Sequence, residues 1–387
     1  MAASKKASQA ARRDFRFFDN REKYLLFVTT CSEKWAVADR VGKELDRIEP
    51  NPPSFNLFDA GMGDATVLTR VMRQMHRRFP TVPFLVVGKE ISLEDVRLSL
   101  EKMADRFFEH PQTVLVVTNL YYAEAPALMP NKPEAAARLK WWDVALKGDT
   151  AHEFDSQIQG LHDILAEGWQ TRTSKRTGNP LYATPSVLVL YREDQRFVLD
   201  RVIPERGSVD RGYDLVIASQ PYRARLPAEI KVRNVLGPLA RALAPGGRMV
   251  VIQSTGRDPG MEIIRKVWPD EAPFVTPSDD LIEAMRASLA ADMPDLVFSR
   301  GKRNEAQFKY HQHSLPTEGG NNIGTSTLLA AWNAAVYVAQ IDDEQLTRAL
   351  AHGDYLEATR TVLQKHGGLW FLDESFVVSR ESGTTTA

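Results

Sequence analysis

Cysteine is almost absent: Cys31 is the single example among 387 residues. A disulfide within the chain is thereby excluded, as is a zinc site built from cysteine thiolates. Such a chain suits a reducing compartment, and a cytoplasmic location is the expectation. Long apolar runs are missing too. No stretch reaches the ~18 residues of a membrane helix, and the longest, LLAAWNAAVYVA at 328–339, is interrupted by Asn333. No membrane partner is expected. An excess of one charge is the third absence: 49 Lys and Arg against 50 Asp and Glu leave a formal net charge of −1. That balance argues against broad coating of nucleic acid, although it leaves a local basic patch open. Internal repeats are absent as well.

What is present is length and apolar content. A hydrophobic fraction of 43% over 387 residues suffices for two domains, or for one with large insertions. The opening MAASKKASQAARR carries Lys5, Lys6, Arg12 and Arg13 and no acid. Residues 1–19 read as a disordered basic tail. A transit peptide has similar composition, and a weak anchor for an anionic partner is a third reading.

Residues 20–48 read as an amphipathic helix, ended by EPNPPS at 49–54, where proline removes a donor and disfavours helix before it. Apolar strands and helical patterns then alternate. Strands are expected at 55–59, 83–90, 113–119, 213–219 and 248–254. Ser92 with Asp95 resembles a capping box. SVLVLYREDQRFVLDRV at 186–202 reads as a hairpin, and LWFLDESFVVSR at 369–380 as a second, terminal one. Continuous apolar strands alternating with helices imply a parallel sheet covered on both faces. The α/β rhythm lapses over about 121–210 and 257–365.

FDAGMGDAT at 58–66 closes the first strand. In a parallel sheet the ligand site lies at the carboxyl ends of the strands, so this turn is the candidate site. Gly61 and Gly63 admit unusual backbone angles and let main-chain amides approach a ligand; the following helix adds its positive end. A dinucleotide site wants G-x-G-x-x-G. Here Thr66 stands where the third glycine should be, and Asp64 would oppose a pyrophosphate. A sulfonium donor such as S-adenosylmethionine (SAM) tolerates that acid.

FDAGMGDAT also resembles motif I of the class I SAM-dependent methyltransferases, acid-x-Gly-x-Gly-x-Gly, with Ala65 replacing the last glycine. YDLVIASQPY at 213–222 and LARALAPGGRMVVI at 239–252 are similar to that family's later motifs. The resemblance implies a Rossmann-like fold: a seven-stranded, mostly parallel sheet with helices on both faces, a C-terminal antiparallel hairpin and two large insertions. It implies a SAM-binding core at 20–120, 211–256 and 366–387, with 121–210 and 257–365 as insertions capping the substrate. Asp59, Gly61, Gly63, Glu90 and Asn119 are then the cofactor residues, Glu90 for the ribose hydroxyls and Asn119 for the adenine.

Ser219-Gln220-Pro221-Tyr222 resembles the Asp/Asn/Ser-x-Pro-Tyr/Phe motif of amino-methylating members. Ser219 and the Pro221 carbonyl would orient an amine, and Tyr222 would supply a π face for developing positive charge; Ser219 and Tyr222 are the catalytic candidates. An ordinary strand-ending turn is the alternative. His311 and His313 would share a face of an extended segment, as surface or packing residues or as a pocket base, and no third ligand suggests a metal. TRTSKRTGNP at 171–180 reads as a solvated basic loop or a mobile lid. The function expected is methyl transfer to a small-molecule acceptor, an amine nitrogen being one candidate. A protein or RNA acceptor stays open, as does a non-catalytic SAM-binding or assembly protein whose helix at 326–341 forms an oligomer interface, a homodimer being one form.

Overall fold

The computed structural model describes residues 21–174, 180–206, 212–313 and 323–382. The basic tail expected at 1–19 and the middle of the basic loop at 171–180 lie outside these. The expected first helix is two: α1 (Arg21–Thr30) and α2 (Glu33–Gly42). They part at Cys31 and Ser32, where the Ser32 N–H donates to the His311 carbonyl (2.9 Å). The chain then enters β1 (Phe55–Asp59), α3 (Thr66–Arg78), β2 (Phe84–Lys89), α4 (Leu93–Glu101), α5 (Ala104–Glu109) and β3 (Thr113–Thr118). The Ser92 hydroxyl caps α4 by accepting from the Asp95 N–H (3.3 Å), as expected.

The stretch after β3 supplies β4 (Lys140–Leu146), α6 (Ala151–Gln159), α7 (His162–Gly168), the short pair β5 (Thr171–Thr173) and β6 (Pro180–Tyr182), and β7 (Ser186–Arg192). The rhythm resumes with β8 (Tyr213–Ser219) and α8 (Ala228–Lys231), which widens into a π turn over Val232–Leu236 before α9 (Gly237–Arg241) and β9 (Leu243–Ser254). Next come α10 (Pro259–Val267), α11 (Ser278–Leu289), β10 (Leu296–Ser299) and β11 (Gln307–His311). Last are α12 (Thr325–Val338), α13 (Asp343–His352), α14 (Tyr355–His366) and β12 (Trp370–Arg380).

Seven strands run in the order β3-β2-β1-β8-β9-β12-β10. All pair in parallel except β12, which is antiparallel to both its neighbours. This is the Rossmann-like, mostly parallel arrangement that the sequence implied. Two expectations change. Both hairpins are absent: 186–192 is one strand followed by short helical turns, and 370–380 is one long strand. Asp373 and Glu374, in the middle of that stretch, are held in the ladder, where the Ser254 hydroxyl donates to Asp373 Oδ1 (2.9 Å). The two lapses are also less separate than expected. β7 and β4 extend the sheet beyond β3, while α11 and β10 complete it at the other edge.

Strand alternation assigns each side chain to a layer. Phe55, Leu57, Phe84 and Val86 face the layer of α3 and α4; Phe58, Leu85 and Val87 face that of α8, α9 and α11. A third cluster joins α1, α10, α12 and α14 around Phe27, Trp332 and Phe371. The α2 helix is fastened to the sheet by Arg40 Nε donating to Ser375 Oγ (2.8 Å) and Arg248 Nε to Glu44 Oε2 (2.8 Å). No helix of the described residues is long and apolar enough to cross a membrane.

Candidate functional site

The carboxyl ends of β1, β2, β3 and β8 open into a cleft of about 1080 Å³. All seven residues singled out from the sequence line it or its rim: Asp59, Gly61, Gly63, Glu90, Asn119, Ser219 and Tyr222. Gly61 faces open space, so the main chain there is bared to a ligand. Gly63 has φ +52, which favours glycine, and a Cβ on it would come within 2.8 Å of the Tyr24 hydroxyl. Ala65 is also left-handed, at φ 58, and leads into α3. Asp64 secures that entry: its Oδ2 accepts from the Thr66 hydroxyl (2.6 Å) and the Lys102 ammonium (2.6 Å), and its Oδ1 from Tyr24 (3.1 Å). Burial raises the Asp64 carboxyl, but the Lys102 and Thr66 bonds prevail and hold it below the usual range.

Glu90 ties the turn to the end of β2. Its Oε1 accepts from the N–H groups of Ile91 (2.7 Å) and Ser92 (2.9 Å), and its Oε2 from the Gly63 N–H (3.0 Å). A carboxylate oxygen has two lone pairs, so Oε1 is saturated and Oε2 keeps one for a ligand. Behind it, Trp169 Nε1 donates to the Glu90 carbonyl (2.8 Å). Asp59 accepts from the Gly61 N–H (3.2 Å). Burial pushes its carboxyl up to about 7, with the Glu90 charge adding and the Gly61 N–H and Lys34 ammonium opposing.

Asn119 lies at the rim, but its side chain is engaged elsewhere. Nδ2 donates to the carbonyls of Gly168 (2.9 Å) and Thr184 (2.9 Å), and Oδ1 accepts from the Ser186 N–H (2.8 Å). It fastens the first inserted stretch under the cleft. Tyr222 is buried: its hydroxyl donates to Gln253 Oε1 (3.3 Å), and the Lys231 ammonium sits 4.8 Å from its ring centroid. Burial brings Lys231 down to about 8. The Pro221 carbonyl accepts from the Tyr122 hydroxyl (2.9 Å). Gln220 has φ 48, a conformation a side chain disfavours, and donates to Ser254 Oγ (3.1 Å). His311 and His313 are exposed beside Ser32 and Trp35 and do not line the cleft.

The sequence reading missed Tyr24, Lys34, Lys89, Tyr122 and Tyr337, all of which line the cleft. Lys34 Nζ lies 3.0 Å from Glu33 Oε2; burial opposes its charge, but Glu33 raises its pKa and keeps it protonated. Lys89 carried a usable signal, since it immediately precedes Glu90, which was chosen at the end of β2; Tyr122 stands three residues beyond Asn119. Tyr24, Lys34 and Tyr337 carried none, because helices distant in sequence bring them to the cleft.

No family model matches the chain, and no curated protein matches it. Solved structures that align with it include the [4+2]-cyclase SpnF, at 12% identity over 89% of this chain and 81% of that one, with TM-score 0.34. Geranyl diphosphate methyltransferase in complex with SAM aligns at 12% identity over 89% and 85%, with TM-score 0.32. Phosphoethanolamine N-methyltransferase 2 of Haemonchus contortus aligns at 10% identity over 96% and 60%, with TM-score 0.33. At such values no residue role carries across.

Proposed function

We propose that the chain is a SAM-dependent methyltransferase acting on a small-molecule acceptor. The observation that carries this reading is the cradle itself: main chain bared at Gly61, fixed through the Gly63 N–H to Glu90 Oε2 at 3.0 Å, with the Asp59, Asp64 and Glu90 carboxylates beside it and the Lys34 and Lys102 ammonium groups paired to Glu33 and Asp64. The residues suit an adenosyl group bearing positive sulfur and do not suit a pyrophosphate, which the Asp59, Asp64 and Glu90 carboxylates would repel.

When bound, the cofactor supplies an activated methyl group whose leaving group departs neutral. The protein's part is then mainly to align donor and nucleophile. The open lone pair of Glu90 Oε2 would take a ribose hydroxyl. Asp59, once ionised, would balance the positive sulfur. Tyr24 and Tyr337 would exclude water from the donor side. Ser219 and the Pro221 carbonyl stand at the end of β8, where an acceptor amine would be oriented; the Pro221 carbonyl would exchange its Tyr122 partner for the amine.

Isothermal titration tests the donor claim. Micromolar binding of SAM and of S-adenosylhomocysteine is expected, and no heat or thermal protection at millimolar ligand would sink it. Incubation of a cell extract with methyl-tritiated SAM, followed by size separation, tests the acceptor class. Label in the small-molecule fraction is expected, whereas label confined to protein or RNA would move the reading to a macromolecular acceptor.

A further inference from the structure

The Asp59 and Glu90 carboxylates and the Lys89 ammonium lie on opposite faces of the sheet, and the cations on the acidic side, Lys34 and Lys102, are paired to Glu33 and Asp64. Asp59 continues the alternation of Phe55 and Leu57, and Glu90 that of Phe84 and Val86, so both carboxylates lie on the α3–α4 side. Lys89 continues Leu85 and Val87 on the opposite side, with Phe58, Val216, Tyr121, Tyr122 and Tyr222. There its ammonium stands 4.7 Å from the Tyr122 ring centroid. It makes no hydrogen bond or ion pair with any described residue, although it is partly buried. Burial lowers its pKa, while the Glu90 charge works the other way. A desolvated cation without an anion is a standing cost unless a ligand supplies the partner.

A second, independent feature points to the same side. The π turn at Val232–Leu236 puts Arg233, Asn234 and Val235 on the cleft wall. π turns inside helices recur at functional sites, and here exposed Arg233 lines the cleft, its Nε donating to Asn234 Oδ1 at 3.4 Å. Gly237 is required for it, since a Cβ there would lie 2.9 Å from the Val232 carbonyl. Arg223 lines the same wall, and Leu181, Leu226 and the Tyr121 ring supply apolar surface between the cations.

We propose that the acceptor carries an anionic group, carboxylate or phosphate, on an apolar or aromatic body, and that Lys89 and Arg233 bind that group on the sheet face opposite the donor. This rests on the methyltransferase reading and names the acceptor's chemical class. A positive donor in the acidic half and a negative acceptor in the basic half also attract each other across the cleft, which helps bring the reacting atoms together.

Three shape-matched probes test it on the full chain saturated with S-adenosylhomocysteine: phenylacetate, phenyl phosphate and neutral phenylacetamide. At least one anion is expected to bind about tenfold or more tightly than the amide, the value of one charge-assisted hydrogen bond in a partly dry site. Which anion binds better distinguishes carboxylate from phosphate. Lys89→Met is expected to erase the preference and Arg233→Gln to weaken it, both with S-adenosylhomocysteine affinity within about twofold of the parent. Equal binding of all three probes, no binding at millimolar concentration, or a Lys89→Met variant that keeps the preference overturns the proposal. Loss of S-adenosylhomocysteine binding in Lys89→Met overturns it as well, by moving Lys89 to the donor half. In the tritium experiment, small-molecule label should be retained by an anion exchanger. Label only in neutral or cationic molecules defeats this inference and leaves methyl transfer standing; no label anywhere defeats methyl transfer itself.

Discussion

The two faces of the cleft are built in opposite ways. On the α3–α4 face, nearly every polar group already has a partner: Glu90 holds three N–H groups, Asp64 takes the Tyr24, Thr66 and Lys102 donors, and Asp59 takes the Gly61 N–H. On the α8–α9 face, the Lys89 ammonium has the Tyr122 ring but no anion among the described residues bonded to it, the helix is widened into a π turn, and Gln220 is held at a positive φ. A face that binds a constant ligand is best preorganised, because rigidity lowers the entropic cost of binding. A face that must recognise an acceptor and release its product holds polar groups open. The contrast teaches where rigidity and unmet valence should be sought when function is unknown.

The largest effect should come from removing the main strut of the rigid face. Glu90→Ala deletes the ribose acceptor and releases three N–H groups, one of them from the glycine turn. SAM affinity is expected to fall about 100-fold, as hydrogen bonds to charged groups are each worth roughly 1.5–3 kcal/mol. Titration calorimetry reads this directly. Unchanged affinity would show that the cradle lies elsewhere and would erase the contrast between the faces.

Next is Asn119, which the sequence assigned to adenine and the structure engages in three bonds to the inserted stretch. Asn119→Ala should lower stability by about 2 kcal/mol, from the buried groups left unmatched. Urea unfolding gives that number. Full stability with a lost cofactor would return Asn119 to the adenine role.

That residue shows why the sequence was legible in one place and not in another. The rigid face begins with consecutive chain, a strand, a turn and a helix start, so local pattern located Gly61 and Gly63 beside Asp59, and the resemblance to the methyltransferase motifs added Glu90. Periodicity likewise gave the five central parallel strands and the layering. It missed two edge strands, β4 after a long irregular stretch and β10, only Leu296–Ser299, and read β7 as the first arm of a hairpin. Nor did it show that Asp373 stays in a ladder, since pairing with Ser254 is a tertiary event. The open face draws on β2, the segment after β3, the π turn and helices far apart in the chain, so no local pattern could assemble it.

The third prediction concerns pH. Asp59 is ordinarily ionised above about 4, but in the fold its pKa is pushed up to about 7 by burial, with Glu90 adding. The folded state therefore holds a proton that the unfolded state has lost. Stability from this group falls as pH rises from about 4 to about 7 and levels off above that. Positive sulfur favours the ionised carboxylate, whereas S-adenosylhomocysteine carries no such charge. The preference for SAM over S-adenosylhomocysteine should rise about threefold to tenfold as pH passes through about 7, and Asp59→Asn should make it flat. A ratio independent of pH in the parent would remove Asp59 from the donor site.

The smallest effect is expected at Tyr222, and its smallness matters. If this residue acted through its hydroxyl, Tyr222→Phe would cost orders of magnitude in rate. The hydroxyl instead donates at 3.3 Å to Gln253, which is itself bonded to the Thr276 carbonyl and Glu374, so it belongs to a buried network behind the wall. What the ring offers is a face, and the Lys231 ammonium is 4.8 Å from the centroid. Tyr222→Phe keeps the ring and should change kcat by about twofold or less. Tyr222→Leu keeps an apolar side chain but removes the π face and should cost about tenfold. Equal losses in the two variants would place the hydroxyl in the chemistry. The open face would then hold a preorganised acid of its own, and the division between a rigid donor side and an unsatisfied acceptor side would no longer describe this cleft.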